Sequence, residues 1–223
     1  MLGIFISVAT IFVLISLSLG LRGAVEEQFK LLGSDKIFIQ PKGQLAGPGT
    51  GGAVELTQKD IDVIKKVNGI KEVTYWVISP AEINYNNVKR YYNVVGVDLK
   101  NSELIIETGS YKSDEGRLLK DGDKKSLMIG SQYKTNNLFK KPIKEGDKLL
   151  INGENFEVKG ILKTVGNPSD DQLIYMPIDD FRDLFGINNR MDMLIVQIEE
   201  GENINSVVDE VNRKLIKSRD VDE

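Results

Sequence analysis

The sequence predicts an α+β fold in which a first helix is followed by a mostly antiparallel β domain. Three observations lead to this prediction. The first 21 residues carry no charged side chain. Two later segments, 57–67 and 204–215, repeat apolar residues at helical spacing. Short runs of β-branched and aromatic residues, separated by Asn and Gly turns, fill much of the remaining chain.

The N-terminal segment predicts a transmembrane helix. It is uncharged from Met1 to Leu21, whereas all 29 basic and all 33 acidic residues of the 223-residue chain follow it. A helix of that length spans roughly 31 Å, the thickness of the hydrocarbon core of a bilayer. A secretory signal peptide is the nearest alternative, but its apolar core is shorter and follows basic residues. A buried core helix would also be shorter and less uniformly apolar.

The first helix is expected to continue beyond the apolar segment as a coupling stalk. Apolar residues recur there at helical spacing, at Leu21, Val25, Phe29 and Leu32. Gly33 then suits the end of a helix. A continuous helix over residues 2–32 would be about 46 Å long and would extend about 15 Å beyond the hydrocarbon core.

Composition excludes several classes of function. The net charge of −4 and the absence of a basic patch argue against nucleic acid as a partner. Since the chain has neither cysteine nor histidine, it cannot form disulfides, Ser-His-Asp triads or His-ligated zinc sites. We therefore expect no enzyme activity in this chain, and no catalytic, cofactor-binding or metal-binding residues.

Two further patterns resemble sites but are weak. The glycine run Gly47–Gly52 matches a dinucleotide-binding fingerprint, yet it does not lead directly into a helix, as phosphate binding requires. The acidic pairs Asp170-Asp171 and Asp179-Asp180 consist of neighbours whose side chains point in different directions. An exposed loop and solvated or helix-capping carboxylates are the simpler interpretations.

The elements after the stalk begin with a strand–helix–strand unit. Residues 36–40 are typical of a strand. Thr57 and Asp60 resemble a capping box that opens a helix ending near Gly69. Residues 72–79 are typical of a second strand, which would pack with the helix.

Two hairpins and a second strand–helix unit follow. Asn86-Asn87 and Asn152-Gly153 favour tight turns, the first between strands 81–85 and 88–97 and the second between 148–151 and 155–162. Short strands are expected over 126–130 and 173–176, and a short helix over 177–185. Residues 193–198 form an apolar strand. A terminal amphipathic helix follows, and its apolar positions include Val208, Val211 and Leu215.

The order of these segments resembles the MacB/FtsX family of ABC-transporter permeases. The resemblance rests on a collinear series that covers nearly the whole chain, and no single segment is diagnostic. The series includes LGIFISVATIFVLISLSLGLRGAVEEQ from Leu2, LGSDKIFIQPKG from Leu32, LTQKDIDVIKKVNGIKEV from Leu56, KEGDKLLINGENFEVKGIL from Lys144 and IYMPIDDFRDLFG from Ile174.

This resemblance implies a first transmembrane helix and stalk over residues 1–32. It also implies a discontinuous porter-like subdomain over 33–105 and 187–223, and a small β-rich subdomain over 106–186. Residues after about 22 would lie outside the cytoplasm, with the protein in the cell membrane. The chain is expected to continue beyond Glu223, because the later membrane helices of the family are absent.

The implied function is mechanotransmission. A separate ATP-binding subunit would hydrolyse ATP, and a homodimer or heterodimer of permeases would transmit the resulting helix movements to the extracytoplasmic domain. The coupling residues would be those of the stalk together with Val208, Val211 and Leu215. The alternative is a membrane-anchored extracytoplasmic binding module with no ATPase partner. Efflux, lipoprotein release, peptide export and control of wall hydrolysis all occur on this scaffold, so the substrate stays open.

Overall fold

The computed structural model describes residues 2–32, 35–41, 54–109 and 111–219. The chain divides into two compact units, Met1–Ser34 and Asp35–Glu223. The first unit contains one helix, α1 (Leu2–Leu32), whose extent agrees with the prediction. Its large apolar side chains between Ile6 and Leu21 are exposed. Within the residues searched, no helix is both long enough and apolar enough to cross a membrane.

The second unit contains nine strands, five α-helices and three short 3₁₀ helices within its described residues. The strands are β1 (Lys36–Ile39), β2 (Ile70–Tyr85), β3 (Val88–Val97), β4 (Ser113–Gly116), β5 (Ser126–Ile129), β6 (Lys148–Ile151), β7 (Glu154–Leu162), β8 (Ile174–Pro177) and β9 (Met193–Ile198). The helices are α2 (Gln58–Ile64), α3 (Ser102–Glu107), α4 (Asn136–Phe139), α5 (Ile178–Phe185) and α6 (Ile204–Arg219).

One end of the sheet is a three-stranded layer in the order β1, β9 and β2. Both pairings are antiparallel, with Lys36 opposite Gln197 on one side of β9 and Val73 opposite Val196 on the other. Helices α2 and α6 contact each other. Their buried residues belong to the same apolar core as β9: Ile61, Ile64, Val207 and Val211. We call this part the three-stranded layer.

The other end of the sheet closes into a barrel. Strand β6 pairs with both β2 and β7, so the pairings β2–β3, β3–β8, β8–β5, β5–β7, β7–β6 and β6–β2 complete a ring of six strands. Two of these pairings, β3–β8 and β5–β7, are parallel. The predicted predominance of antiparallel pairing is confirmed. A ring of this kind leaves few free strand edges in that part of the sheet, and one of them lies along β2 between its pairings with β9 and β6.

Side chains alternate between two cores along the barrel strands, as strand geometry requires. One set, with Val94, Leu127 and Ile174, lies in the larger core. The intervening residues, including Val95, Met128 and Tyr175, face a second core. That second core is completed by Ile105 from α3 and by Tyr111 and Leu119 from the segment after it.

Most predicted elements are present, with corrections at α2 and β2. Helix α2 ends at Ile64, before the predicted end near Gly69. Residues 72–79 and 81–85 are predicted to be separate strands. The structure instead places Pro80 within one 16-residue strand. Both hairpin turns use left-handed Asn residues, with φ of 50° at Asn86 and 48° at Asn152. The glycine run Gly47–Gly52 lies outside the described residues.

The predicted division into subdomains stays a prediction. Strands β2 and β3, assigned by sequence to the porter-like part, pair in the barrel with β6 and β8 from residues 106–186. The same strand β2 also pairs with β9 in the three-stranded layer. Strand β2 is therefore continuous from one end of the second unit to the other.

Candidate functional site

A network of polar side chains surrounds the point where the chain enters the second unit. Gln197, on β9, donates from Nε2 to Asp35 Oδ2 at 2.7 Å and to Glu107 Oε2 at 2.9 Å. The ammonium group of Lys36 lies 2.9 Å from Asp35 and 3.4 Å from Glu107. The Lys36 side chain is only 4% exposed. The carboxylates of Asp35 and Glu107 therefore share two buried donor groups, the amide of Gln197 and the ammonium of Lys36.

The electrostatics of this network favour ionised Asp35. Burial by itself would raise the pKa of Asp35, but hydrogen bonds from Gln197 and Lys36 outweigh it and lower the pKa below its usual value. The backbone adds a further link, since Ile198 donates its N–H to the Asp35 carbonyl at 2.8 Å. The first described residue of the second unit is thus attached to β9 through both side chain and backbone.

The terminal helix α6 follows β9 and packs along α2. Val211 is buried, Leu215 is partly buried against the larger core, and Val208 is half-buried. Leu21 lies in α1 with its side chain exposed. The backbones of Val25, Phe29 and Leu32 lie in α1, but their side chains lie outside what the structure describes. The assignment of all seven residues as a coupling path stays a prediction.

Polar contacts fix the end of α6 to the beginning of α2. Arg219 donates from Nε to Asp60 Oδ1 at 2.9 Å and from Nη2 to Asp60 Oδ2 at 2.6 Å. It also donates to the carbonyl of Glu55 at 2.7 Å. The Asp60 side chain is 3% exposed and that of Arg219 is 25% exposed. A buried carboxylate and a bidentate guanidinium form the strong class of ion pair.

Two lysines add contacts along the same helix pair. Lys59 donates to the carbonyl of Ser218 at 3.2 Å, and Lys214 donates to the carbonyl of Lys66 at 2.9 Å. The carbonyl of Lys66 lies just beyond the C-terminal end of α2, where helix geometry leaves carbonyl groups without partners. The C-terminal part of α6 therefore contacts both ends of α2.

Sequence reasoning found only part of this arrangement. It identified Asp60 as a helix cap, and the Thr57 backbone N–H does donate to Asp60 Oδ2 at 2.8 Å. It did not identify Arg219, Gln197 or Glu107. The one available signal was the basic end of an amphipathic helix, which also fits the helix dipole and therefore did not point to a partner 159 residues away.

One aspartate of each acidic pair is buried and not solvated, and hydrogen bonds hold it. Asp171 accepts hydrogen bonds from the Thr164 hydroxyl and the Val165 N–H, and Asp180 accepts one from the Lys125 N–H. Burial raises the pKa of Asp170 and of Asp180. A cleft of about 380 Å³ lies beside α5, lined in part by Tyr75, Asp179 and Arg182. In the part of the chain searched, no group of three or more acidic side chains could hold a metal ion.

Comparison with known proteins shows the family. The profile of the MacB-like periplasmic core domain matches residues 1–214. An uncharacterized ABC transporter permease of Methanocaldococcus jannaschii is 38% identical over 221 residues, which is 97% of this chain and 53% of that protein. The macrolide export ATP-binding/permease protein MacB of Campylobacter jejuni is 25% identical, over 90% of this chain and 32% of that protein. The chain thus spans about half the length, or less, of these relatives.

Two solved structures share the fold. The extracellular domain of the ABC-type transporter YknZ from Gram-positive bacteria has a TM-score of 0.63 at 22% identity, covering 84% of this chain and 96% of that one. The periplasmic region of MacB from Actinobacillus actinomycetemcomitans has a TM-score of 0.65 at 17% identity, covering 86% and 87%. At these identities the likeness concerns the fold alone. With the profile match over residues 1–214, it follows that the chain belongs to the MacB-like periplasmic core domain family of ABC-transporter permeases.

Proposed function

We propose that this chain is the extracytoplasmic part of an ABC-transporter permease, and that it couples ATP hydrolysis by a partner to conformational work outside the membrane. The observation that carries the proposal is the attachment of both ends of the second unit to one strand, β9. Asp35 is bound to β9 through Gln197, and α6 continues directly from β9 in the chain. A displacement of either end would therefore act on the same strand.

Strand β2 provides a continuous connection from β9 to the barrel, which is the second part of the proposal. Strand β2 pairs with β9 over residues 70–76 and reaches the barrel at Ile83 and Asn84, where it pairs with β6. Sixteen extended residues span roughly 53 Å. Movement received by the three-stranded layer would reach the barrel through this continuous strand. In this proposal the porter-like part (33–105 and 187–223) would receive the movement, and the β-rich part (106–186) would be moved by it.

The membrane anchor is part of the same proposal. Large apolar side chains are exposed along α1 between Ile6 and Leu21, and no charge interrupts that segment. Exposed apolar surface of this kind suits contact with lipid tails. We place residues after about 22 outside the cytoplasm, with Leu21, Val25, Phe29 and Leu32 as a stalk and Val208, Val211 and Leu215 as its counterpart on α6.

The partners follow from the family and not from the geometry. Relatives are named permeases or combined ATP-binding/permease proteins, so we propose a separate ATP-binding subunit and a homodimer or heterodimer of permeases. Hydrolysis of ATP would take place on that subunit. The chemistry of the cargo is left open, because one fold of this kind serves many functions.

The test begins with the full-length protein purified by affinity from detergent-solubilised native membranes. Mass spectrometry identifies what is recovered with it, and ATP hydrolysis is assayed on the same sample. We expect a stoichiometric ATP-binding subunit with turnover. Recovery of the protein alone, without ATPase activity, would favour a membrane-anchored binding module and reject the permease proposal.

Two variants then distinguish binding of the ATP-binding subunit from the coupling of ATP hydrolysis to transport. Arg219→Met removes the ion pair between α6 and α2, whereas Arg213→Met removes an exposed arginine of the same helix, 77% exposed and 3.9 Å from Glu210. We expect both variants to bind the ATP-binding subunit and only Arg219→Met to uncouple hydrolysis from transport. Normal coupling in Arg219→Met would reject the proposed role of the α2–α6 pair.

A further inference from the structure

Along one of its edges, β2 pairs first with β9 and later with β6, and its middle residues lie between these two pairings. On this edge β9 pairs as far as Trp76, opposite Met193, and β6 begins at Ile83. We call the unpaired stretch of this edge the gap. Alternate residues of a strand direct their backbone N–H and C=O groups to the same side. The residues whose backbone groups face the gap are therefore Trp76, Ile78, Pro80 and Glu82. Buried backbone groups need hydrogen-bond partners. The gap therefore requires partners that are not a strand.

Several backbone groups at the two ends of the gap have partners other than a strand, or need none. Asp192 donates its N–H to the Trp76 carbonyl at 3.0 Å, which ends the β9 pairing. Pro80 has no N–H to satisfy. Asn152 accepts from the Glu82 N–H through Oδ1 at 3.0 Å and donates its own N–H to the Glu82 carbonyl at 2.9 Å. The backbone N–H and carbonyl of Ile78, at the centre of the gap, are bound by two side chains.

Those side chains are Asp192 and Arg190. Asp192 Oδ2 accepts from the Ile78 N–H at 2.8 Å, and Arg190 Nη2 donates to the Ile78 carbonyl at 2.8 Å. Arg190 also lies against Asp192, with Nε 3.1 Å from Oδ1. The Asp192 side chain is 1% exposed and that of Arg190 is 21% exposed. Together they satisfy both backbone groups of Ile78, as a neighbouring strand would.

We propose that Arg190 and Asp192 form a clamp that fixes the three-stranded layer to the barrel, making them the positioning residues of the joint between the two parts. The pair belongs to the segment that leads into β9, yet it holds β2 at the point where β9 no longer pairs with it. Without the clamp, residues 77–81 of β2 would be hydrogen-bonded on the β3 side only. Two-stranded ribbons twist more than strands that are paired on both edges.

Burial makes the clamp sensitive to the loss of either member. Burial is the main influence on Asp192 and raises its pKa, while the Ile78 N–H and Arg190 act in the opposite direction. Removing one partner of such a pair leaves the other without compensation. The inference rests on the proposed function only for its consequence in the transporter; the clamp itself can be tested on this chain alone.

The test measures the distance between the two parts. The chain has no cysteine, so spin labels can be attached at Asn212→Cys on α6 and Lys148→Cys on β6, both exposed positions. Electron–electron double resonance on the full chain in detergent gives the width of the distance distribution. Hydrogen exchange of the Ile78 amide is measured in parallel. We expect Asp192→Ala to broaden the distribution and to accelerate exchange by about fivefold or more.

A matched control comes from a similar pair elsewhere. Asp123 binds Arg117 through both carboxylate oxygens, at 2.7 and 2.8 Å, and accepts the Lys120 N–H at 2.9 Å. Asp123→Ala removes the same kinds of bond away from the joint, so it should leave the distribution unchanged. Arg190→Met is a second variant. It keeps the bond from the Ile78 N–H to Asp192 but removes the donor to the Ile78 carbonyl and the cation beside Asp192. It should also broaden the distribution, and it keeps the test usable if Asp192→Ala does not fold.

The outcomes separate the clamp from the proposed function. An unchanged distance distribution in folded Asp192→Ala, or in Arg190→Met, would overturn the clamp. Equal broadening in Asp123→Ala would overturn it as well. Broadening specific to the clamp, together with normal coupling of ATP hydrolysis to transport in the full transporter, would support the clamp and reject its mechanical role.

Discussion

The carboxylate of Asp60 joins Arg219 to the beginning of α2. Its Oδ2 accepts both the Thr57 N–H at 2.8 Å and Arg219 Nη2 at 2.6 Å. The same atom therefore caps one helix and holds the last described turn of another. Because the two residues are 159 positions apart, this contact connects the early and late parts of the second unit.

Breaking this contact should destabilise the fold. Arg219→Met leaves the Asp60 carboxylate buried without its cation, and we expect a loss of about 3 kcal/mol of unfolding free energy. Asp60→Ala should cost a similar amount, since it also removes the cap. Urea unfolding of the single and double variants gives the coupling energy. Arg213→Met, at the exposed position on the same helix, should change stability by less than about 0.5 kcal/mol. Additive effects of the two single variants would contradict the pairing.

Removing Gln197 should have an effect that depends on pH. Asp35 has a lowered pKa in the folded state, so its contribution to stability is present above the usual pKa of 3.8 and is lost as the pH falls. Gln197→Met removes one donor from Asp35 and Glu107. We expect a loss of about 1–2 kcal/mol near neutral pH that shrinks toward about pH 3. Urea midpoints across this range provide the measurement. A loss independent of pH would indicate altered packing at the 5% exposed Gln197 site.

The side-chain hydrogen bond and the backbone conformation of Asn152 should contribute separately to the stability of the fold. Asn152→Gly keeps the positive φ of 48° but loses the bond from the Glu82 N–H, so we expect a cost of about 1 kcal/mol. Asn152→Ala loses the same bond and adds left-handed strain, for roughly 1 kcal/mol more. Thermal unfolding distinguishes the two. Equal costs for Gly and Ala would show that the backbone conformation at this turn contributes little.

Tyr85 should make stability depend on alkaline pH. Burial and the hydrogen bond to Asp147, at 2.7 Å, raise the pKa of Tyr85 from 10.0 to about 12. Its contribution is therefore complete below pH 10 and is lost as the pH rises toward 12. Tyr85→Phe should be less stable by about 1–2 kcal/mol near pH 8, with a smaller difference near pH 12. Tyr91→Phe, at a 72% exposed side chain, is the control and should show no such convergence.

Local patterns predicted the elements well because their signals lie within a few residues of one another. The Asn152-Gly153 turn specified β6 and β7, and the Thr57–Asp60 spacing specified the beginning of α2. Gly186, with φ of 67°, ends α5 as expected. Each of these features needs only near neighbours in the sequence to satisfy its hydrogen bonds or backbone angles.

Long-range pairing could not be predicted in the same way. Nothing in the four residues of β6 indicates that they pair with Ile83 and Asn84 of β2 and close the barrel. Two separate strands were predicted over 72–79 and 81–85, but neighbouring side chains satisfy that edge of β2 and one strand runs through Pro80. Partners such as Asp60 with Arg219, or Gln197 with Glu107, are charged or polar residues whose choice of neighbour depends on the completed fold.

Pro80 also makes this part of β2 a poor template for a strand from another molecule. An uninterrupted edge along β2 between β9 and β6 would be a template for a strand from another molecule, the usual beginning of sheet-to-sheet aggregation. A residue without an N–H cannot take part in such a ladder, and Pro80 is exposed at this point. The same residue that interrupts hydrogen bonding within the sheet therefore disfavours the addition of a foreign strand at this edge.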